Sequence, residues 1–312
     1  DPPWQVEYDF GTARNQHVIR VIAKHRDGPT VSDFVITRTL DLKYVVNVNR
    51  VILSVSVRDD DKRPVLGLTE EDFRVEEDGE PQRLVEVTRE ERPLLIGILV
   101  DTSGSMRERL EHAQTAACGF LETLREQDRA FVVDFDELVF LIEEPTNDFA
   151  RACESIKTTE PVGGTAMFDA LNAAYRVIHE PKAERRAMIV LSDGEDTESR
   201  LTFDEIEEEA MLSDVTIYSI GLDVPFASGA RGHLEDLAEL TGGRSYFVDD
   251  AEELAGTYEE IAEELRTQYQ VTYASENEEF DGRFIEIDVD VVEPGDFDVR
   301  HRKGYFAVQD DE

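Results

Sequence analysis

The sequence predicts an α/β fold: a doubly wound, mostly parallel sheet inserted between the strands of a β-sandwich. Apolar runs typical of strands buried on both faces alternate with helical patterns between residues 92 and 268, which is the order of a doubly wound sheet. Segments with alternating apolar and polar residues precede this region at 44–91 and follow it at 269–308, as half-buried strands do. A domain can be inserted wherever its two ends lie close together, so we expect the two flanks to form one discontinuous β-sandwich.

The central elements follow from the spacing of apolar residues. Buried strands are predicted at 94–100, 130–135, 187–191, 215–220 and 244–248. The segment 139–142 follows 130–135 too closely for a crossover, so these two segments should form an antiparallel hairpin. Helices are predicted at 106–126, 148–157, 166–179, 203–212, 234–240 and 251–267.

The flanking segments are predicted to be strands joined by turns. Alternation of apolar residues marks strands at 46–57, 84–87, 269–273, 284–291 and 297–300. Asp78-Gly79 and Asp281-Gly282 are typical of hairpin turns. Residues 1–43 are expected to form a strand, a turn at 27–29 and a second strand, either as extra strands of the sandwich or as part of an immunoglobulin-like module.

The composition is strongly acidic, with 71 Asp and Glu against 32 Lys and Arg and a net charge of −39. Such a chain repels phosphates and anionic lipid surfaces, so we expect no nucleic acid partner. Direct membrane insertion is not expected either, because no stretch approaches the ~20 apolar residues of a membrane helix. The acidity fits both an ordinary solvated surface and adaptation to high salt.

A polar cluster, Asp101-Thr102-Ser103-Gly104-Ser105, directly follows the predicted strand 94–100. Ligand sites of open α/β sheets lie at the carboxyl ends of the strands. One carboxylate and two hydroxyls are hard oxygen donors, which suit Mg²⁺, Mn²⁺ or Ca²⁺ better than zinc. Alone, the five residues fit equally well a helix cap by Asp101 and a turn around Gly104.

Two further segments favour the metal. Thr165 presents a hydroxyl at a predicted helix start, after the tight turn allowed by Gly163-Gly164. Asp193 precedes Gly194 at the end of the segment 187–194, which begins with another buried strand. In an alternating strand–helix order, both loops fall at the same sheet edge as Asp101.

Together, Asp101, Ser103, Ser105, Thr165 and Asp193 resemble the metal-ion-dependent adhesion site of von Willebrand factor type A domains, and the resemblance covers about residues 92–268. It implies that Ser103 and Ser105 ligate the metal, that Thr165 ligates it in a ligand-bound state, and that both aspartates act directly or through water. It implies Mg²⁺ first, with Mn²⁺ or Ca²⁺ as alternatives. Neutral hydroxyls leave the ion much of its charge, so an open coordination position can take an acidic group.

The flanks, at 65–73, 77–79 and 302–306, resemble the acidobacterial VWFA-related domain family, whose members are usually exported. The resemblance implies an extracytoplasmic protein (secreted, periplasmic or on the cell surface). No signal segment is expected in this chain, because Asp1-Pro2-Pro3-Trp4 has neither a basic start nor an apolar run. The type A fold also implies that the helices carrying Cys118 and Cys153 lie on different faces of the sheet, which disfavours a disulfide.

Three functions are consistent with these residues. The first is a binding module, not an enzyme, that captures an acidic group of a protein or peptide ligand at the metal. The second is an assembly component whose metal serves folding alone. The third is a metallohydrolase with Glu195 or Asp196 as base, but the six histidines have no metal-ligand spacing. Partner specificity is expected in the loops around the metal, chiefly 143–148, 195–200 and 224–232.

Overall fold

The computed structural model describes residues 18–24, 30–36, 50–89, 92–179, 185–277, 281–292 and 295–307. The chain divides into two units, residues 1–45 with 310–312 and residues 46–309. The first unit shows two antiparallel paired strands, β1 (Val18–Lys24) and β2 (Thr30–Ile36). The remainder of the 1–43 segment, the turn expected at 27–29 and the expected strand start at 46–49 lie outside the described residues.

The second unit begins with strands, continues with an α/β region and ends with strands. The leading strands are β3 (Val51–Arg58), β4 (Phe73–Glu77) and β5 (Glu80–Thr88). The α/β region contains β6 (Leu94–Asp101), α1 (Leu110–Glu122), β7 (Arg129–Phe135), β8 (Val139–Thr146), α2 (Phe149–Lys157), α3 (Met167–Ile178), β9 (Arg185–Ser192), α4 (Phe203–Leu212), β10 (Thr216–Leu222), α5 (Gly229–Thr241), β11 (Ser245–Val248) and α6 (Leu254–Thr267). The closing strands are β12 (Tyr269–Ala274), β13 (Phe284–Val291), β14 (Asp298–Arg300) and β15 (Gly304–Phe306). Short 3₁₀ helices lie at Glu70–Asp72, Gly104–Glu108 and Ala251–Glu253.

The strands of the α/β region form a six-stranded sheet in the order β11-β10-β9-β6-β7-β8. All pairs are parallel except β7 with β8, which are antiparallel as the spacing predicted. Ile96 and Ile98 pack into a core with α1, α2 and α6, whereas Leu95 and Leu99 pack into a second core with α3, α4 and α5. Helices therefore cover both faces, and the predicted α/β fold is confirmed.

The hairpin decides which loops lie near the carboxyl ends of the parallel strands. Because β8 runs back along β7, with Ala130 opposite Thr146, residues 143–148 lie at the amino edge. The expectation that this loop surrounds the metal was therefore wrong. The turn 136–138 lies at the carboxyl edge in its place, and Glu143 is buried against Arg151, whose Nε donates to it at 3.0 Å.

The strands that flank the α/β region pair with one another. Hydrogen bonds link seven of them in one antiparallel sheet, in the order β14-β3-β12-β5-β4-β13-β15. Strands from both flanks thus share a sheet, and β12 lies between β3 and β5. The prediction of a two-sheet sandwich is not confirmed by this pairing.

Cys118 on α1 and Cys153 on α2 form a disulfide, with their Cα atoms 5.0 Å apart. The expectation that disfavoured this bond was wrong. α2 follows an antiparallel edge strand and is not a crossover helix, so it does not alternate faces and packs beside α1.

A buried carboxylate connects the two sheets. Glu264 on α6 is fully buried, and its Oε2 lies 2.8 Å from Arg58 Nη2 of the seven-stranded sheet and 3.2 Å from Arg244 Nε of the α/β region. Arg244 Nη1 lies 2.8 Å from Asp298 Oδ2 on β14. Tyr218 completes the cluster by donating its hydroxyl to Glu264 Oε1 at 3.1 Å. None of the helices in the described part of the chain has the length and apolarity that a bilayer-spanning segment requires.

Candidate metal centre

Three of the five predicted ligands meet at the carboxyl edge of the sheet. Ser103 Oγ lies 2.9 Å from Ser105 Oγ, and the Ser105 hydroxyl donates to Asp193 Oδ1 at 2.7 Å. The contact arises because β6 and β9 are parallel neighbours, with Val100 opposite Leu191. Residues that follow the ends of these two strands are thereby brought side by side.

The spacing of these oxygens fits a small divalent cation. At ligand distances of about 2.1 Å, adjacent oxygens of an octahedral Mg²⁺ lie about 3 Å apart. The separations of 2.9 and 2.7 Å along Ser103, Ser105 and Asp193 are close to that value. Within the described ranges, no three His, Cys, Asp or Glu residues form a metal-binding group, so hydroxyls are essential members of this candidate donor set.

Asp101 organises the loop that carries the two serines. Its side chain is fully buried, and Oδ1 accepts the Ser103 backbone N–H at 2.8 Å while Oδ2 accepts the Ser192 hydroxyl at 2.6 Å. Burial raises the pKa of Asp101 to about 6, and the nearby Asp193 charge adds to the effect, although the serine hydrogen bonds oppose it. Ser192 was missed by the sequence reasoning, although it directly precedes the predicted ligand Asp193.

Thr165 lies on a loop that is bonded to the loops of the other ligands. The Gly163 carbonyl accepts the N–H of Gly104 at 3.0 Å, and Gly163 has a φ of +70°, which favours glycine. The Thr165 N–H donates to Thr197 Oγ1 at 3.1 Å, a residue of the loop after Asp193. Thr165 itself is buried. The structure therefore brings its loop to the same edge.

The two acids considered as catalytic bases have structural roles. Asp196 accepts the N–H of Phe168 at 3.0 Å and the hydroxyl of Ser199 at 2.6 Å. Glu195 accepts the N–H of Gly229 at 3.2 Å. Both side chains thus fasten the loop after β9.

An ion pair that the sequence reasoning missed adjoins the site. Arg109 contacts both Asp193 and Asp223, which are 84 and 114 residues away along the chain. No motif or spacing connects these three residues, so no sequence signal could have found the contact. Behind the site, the Thr102 hydroxyl donates to Asp134 Oδ1 at 2.5 Å, and burial raises the pKa of Asp134 to about 6.

Comparisons with known proteins agree with this fold. The family model described as von Willebrand factor type A domain matches residues 96–195. The uncharacterized protein sll0103 of Synechocystis sp. is 25% identical over 181 residues, which are 55% of this chain and 42% of that protein. The chain therefore spans less than half the length of this curated relative.

Two solved structures share the fold at low sequence identity. A von Willebrand factor type A protein from Catenulispora acidiphila superposes with a TM-score of 0.51 at 14% identity, over 86% of this chain and 76% of that one. The structure of proximal thread matrix protein 1 of the mussel byssus, which has a zinc-occupied MIDAS motif, superposes with a TM-score of 0.51 at 17% identity. The match covers 61% of this chain and 50% of that one.

Proposed function

We propose that the von Willebrand factor type A domain of this chain is a metal-dependent binding module that captures an acidic group of a protein or peptide partner. The observation that carries this function is the row of oxygens along Ser103, Ser105 and Asp193, at separations of 2.9 and 2.7 Å. Type A domains generally act as interaction modules and not as enzymes, which agrees with the structural roles of Glu195 and Asp196.

The ion would be held by the five residues that the sequence singled out: Asp101, Ser103, Ser105, Thr165 and Asp193. Mg²⁺ is the first choice because the donors are all hard oxygens, and Mn²⁺ or Ca²⁺ can take the same set. When bound, the metal supplies an electrophilic position for a partner's carboxylate. The protein's own part is to hold the serine hydroxyls and to orient Asp101 through Ser192 and the backbone of Ser103.

The same proposal places the protein outside the cytoplasm. The disulfide between Cys118 and Cys153 supports this location, because such bonds persist in oxidising compartments and are rare in the cytosol.

The metal is tested by titrating Mg²⁺ into the metal-free full chain in a calorimeter. Ser105→Ala and Asp193→Ala each remove one donor, so we expect affinity to fall by more than about tenfold. Ser54→Ala, on β3 of the seven-stranded sheet, is the matched control and should bind as the wild type does. Unchanged Mg²⁺ affinity in both site variants would overturn the proposed ligand set.

Capture of an acidic group is tested on a peptide panel. Peptides containing Asp or Glu, and their Asn or Gln counterparts, are presented to the Mg²⁺-loaded chain with and without a chelator. We expect binding that needs both the carboxylate and the metal. Binding that survives chelation contradicts metal-dependent capture, and a thermal stabilisation by Mg²⁺ without any carboxylate preference would favour a metal that serves folding alone.

A further inference from the structure

Arg109 places a permanent positive charge beside the candidate metal centre. Its Nη1 lies 3.2 Å from Asp193 Oδ2, and its Nη2 pairs with the Asp223 carboxylate. The Asp193 side chain is 1% exposed, whereas the Asp223 side chain is 56% exposed. The guanidinium thus joins a buried carboxylate of the site to an exposed one outside it.

The two oxygens of Asp193 have different partners. Oδ1 accepts from the Ser105 hydroxyl and Oδ2 accepts from Arg109. Oδ1 therefore faces the two serine hydroxyls, while Oδ2 faces the Arg109 guanidinium. A guanidinium stays protonated at any ordinary pH, so the charge beside Asp193 Oδ2 does not depend on pH.

Asp223 fixes the position of Arg109. It follows the end of β10 with a φ of +55°, a left-handed conformation that is uncommon for residues other than glycine. Its N–H donates to the Val248 carbonyl at 2.8 Å, which ties this backbone to β11. The backbone of Asp223 is thus anchored to β11 independently of its side-chain pairing with Arg109.

The charges at the site can be counted. The carboxylates of Asp101 and Asp193 balance a divalent cation, and Arg109 adds one positive charge, which Asp223 offsets only in part because its side chain is 56% exposed and screened by solvent. We infer that Arg109, held by Asp223, weakens the site's hold on the metal and strengthens the attraction of the loaded site for a carboxylate. A local excess of positive charge is needed to bind an acidic ligand, because the chain as a whole carries a net charge of −39. The inference rests on the proposed function and deepens it.

The test compares Arg109→Gln with Arg107→Gln, using Mg²⁺ alone as the first probe. Both variants remove one positive charge, but the Arg107 guanidinium contacts the Pro161 carbonyl at 3.3 Å and not a carboxylate. We expect Arg109→Gln to bind Mg²⁺ about three- to tenfold more tightly than the wild type, because the positive charge of Arg109 no longer repels the ion. Arg107→Gln should change Mg²⁺ affinity much less, and Asp223→Asn, which removes the negative charge that offsets Arg109, should bind Mg²⁺ more weakly than the wild type.

The second probe is acetate, titrated onto the Mn²⁺-loaded protein. Displacement of water from Mn²⁺ is followed by proton relaxation, and Arg109→Gln should need several-fold more acetate than the wild type. Arg109→Lys keeps the charge and should stay close to the wild type in both measurements, and circular dichroism checks that each variant folds.

The outcomes distinguish a failure of the proposed metal-dependent function from a failure of the role inferred for Arg109. A wild type that binds neither Mg²⁺ nor Mn²⁺ overturns the proposed function and this inference with it. A wild type that binds metal overturns the inference alone if Arg109→Gln binds Mg²⁺ equally or more weakly. Equal effects of the Arg107 and Arg109 variants also overturn it, since they would show a general effect of net charge.

Discussion

At the scale of single residues, the candidate site depends on small side chains whose positions are set by hydrogen bonds. Ser103 and Ser105 are near each other because Asp101 accepts the backbone N–H of Ser103 and so folds the loop around its own carboxylate. The buried Ser192 hydroxyl holds the other oxygen of Asp101. The positions of the two serines thus depend on Asp101 and, through it, on Ser192, which is not one of the proposed ligands.

His301 is a buried residue whose protonation state follows from its neighbours. The Val289 N–H donates to Nε2 at 3.2 Å, and Nδ1 lies 2.8 Å from the Arg302 carbonyl. A neutral ring with its proton on Nδ1 satisfies both contacts, whereas a second proton would face the N–H of Val289. Burial lowers the pKa of His301, and Lys303 acts in the same direction, while Arg302 through its backbone and the acids Asp288 and Asp290 oppose it.

The histidine predicts a pH dependence of stability. Because the unfolded chain takes up this proton near pH 6.5 and the folded chain resists it, the stabilisation from His301 is complete above about pH 6.5 and falls as the pH is lowered. Urea denaturation between about pH 7.5 and 5.5 should show a smaller acid loss for His301→Gln than for the wild type. The raised pKa values of Asp101 and Asp134 act with the opposite sign in both proteins and cancel in the comparison. Identical pH slopes would contradict the prediction.

At the scale of elements, the antiparallel hairpin of β7 and β8 determines the surroundings of the site. It places the turn 136–138 at the carboxyl edge, where the Asp136 carbonyl accepts the N–H of Ala166 at 2.7 Å, next to Thr165. It also returns the chain to the amino edge, from which α2 runs beside α1. The spacing of residues 130–142 predicted the hairpin, but the position of α2 depends on packing that no local pattern reveals.

The disulfide between α1 and α2 is expected to contribute to stability. Replacing both cysteines, Cys118→Ser with Cys153→Ser, should lower the free energy of unfolding by about 2–4 kcal/mol, because the bond restrains the unfolded chain. Urea denaturation of the oxidised wild type and the double variant measures this loss. Peptide mass mapping without reductant should find the two cysteines linked, and alkylation of both thiols in protein from an oxidising compartment would contradict the bond.

At the scale of the whole molecule, the α/β region and the seven-stranded sheet are joined by charge as well as by the chain. Glu264 is the shared ion-pair partner of Arg58 and Arg244, one from each part. Removing the carboxylate from this buried cluster should destabilise the protein, because the two arginines would lose their partner and would still be shielded from water. The cluster therefore couples the unfolding of the two parts.

Glu264→Gln tests this coupling. It removes the charge between two largely buried guanidinium groups, so we expect a loss of about 3–5 kcal/mol in the free energy of unfolding. Glu260→Gln is the matched control on the same helix: Glu260 lies 3.7 Å from Arg58 but is 56% exposed, so its loss should change stability little. Denaturation followed by two probes, one in each part, would show separate transitions in Glu264→Gln. Equal stabilities of the two variants would refute the role of Glu264.

The sequence predicted what depends on local patterns. β6 and β9 were predictable because their apolar runs are nearly unbroken, and the candidate ligands Asp101 and Asp193 stand at or directly after the ends of these strands. The contacts of Arg109 with Asp223 and of Cys118 with Cys153 join segments far apart in the chain, which composition and periodicity do not encode. The sequence led us to expect that the two flanks associate, but it did not predict the order of their strands, since alternation marks strands but not their neighbours.

The position of β12 beside β5 has a mechanical consequence. The chain leaves the seven-stranded sheet through β5 and returns to it through β12, whose Val271 is paired with Val87 of β5. Both tethers of the α/β region therefore start from adjacent strands, at the opposite end of the domain from the carboxyl edge. A pull applied at that edge would be divided between two anchors in parallel.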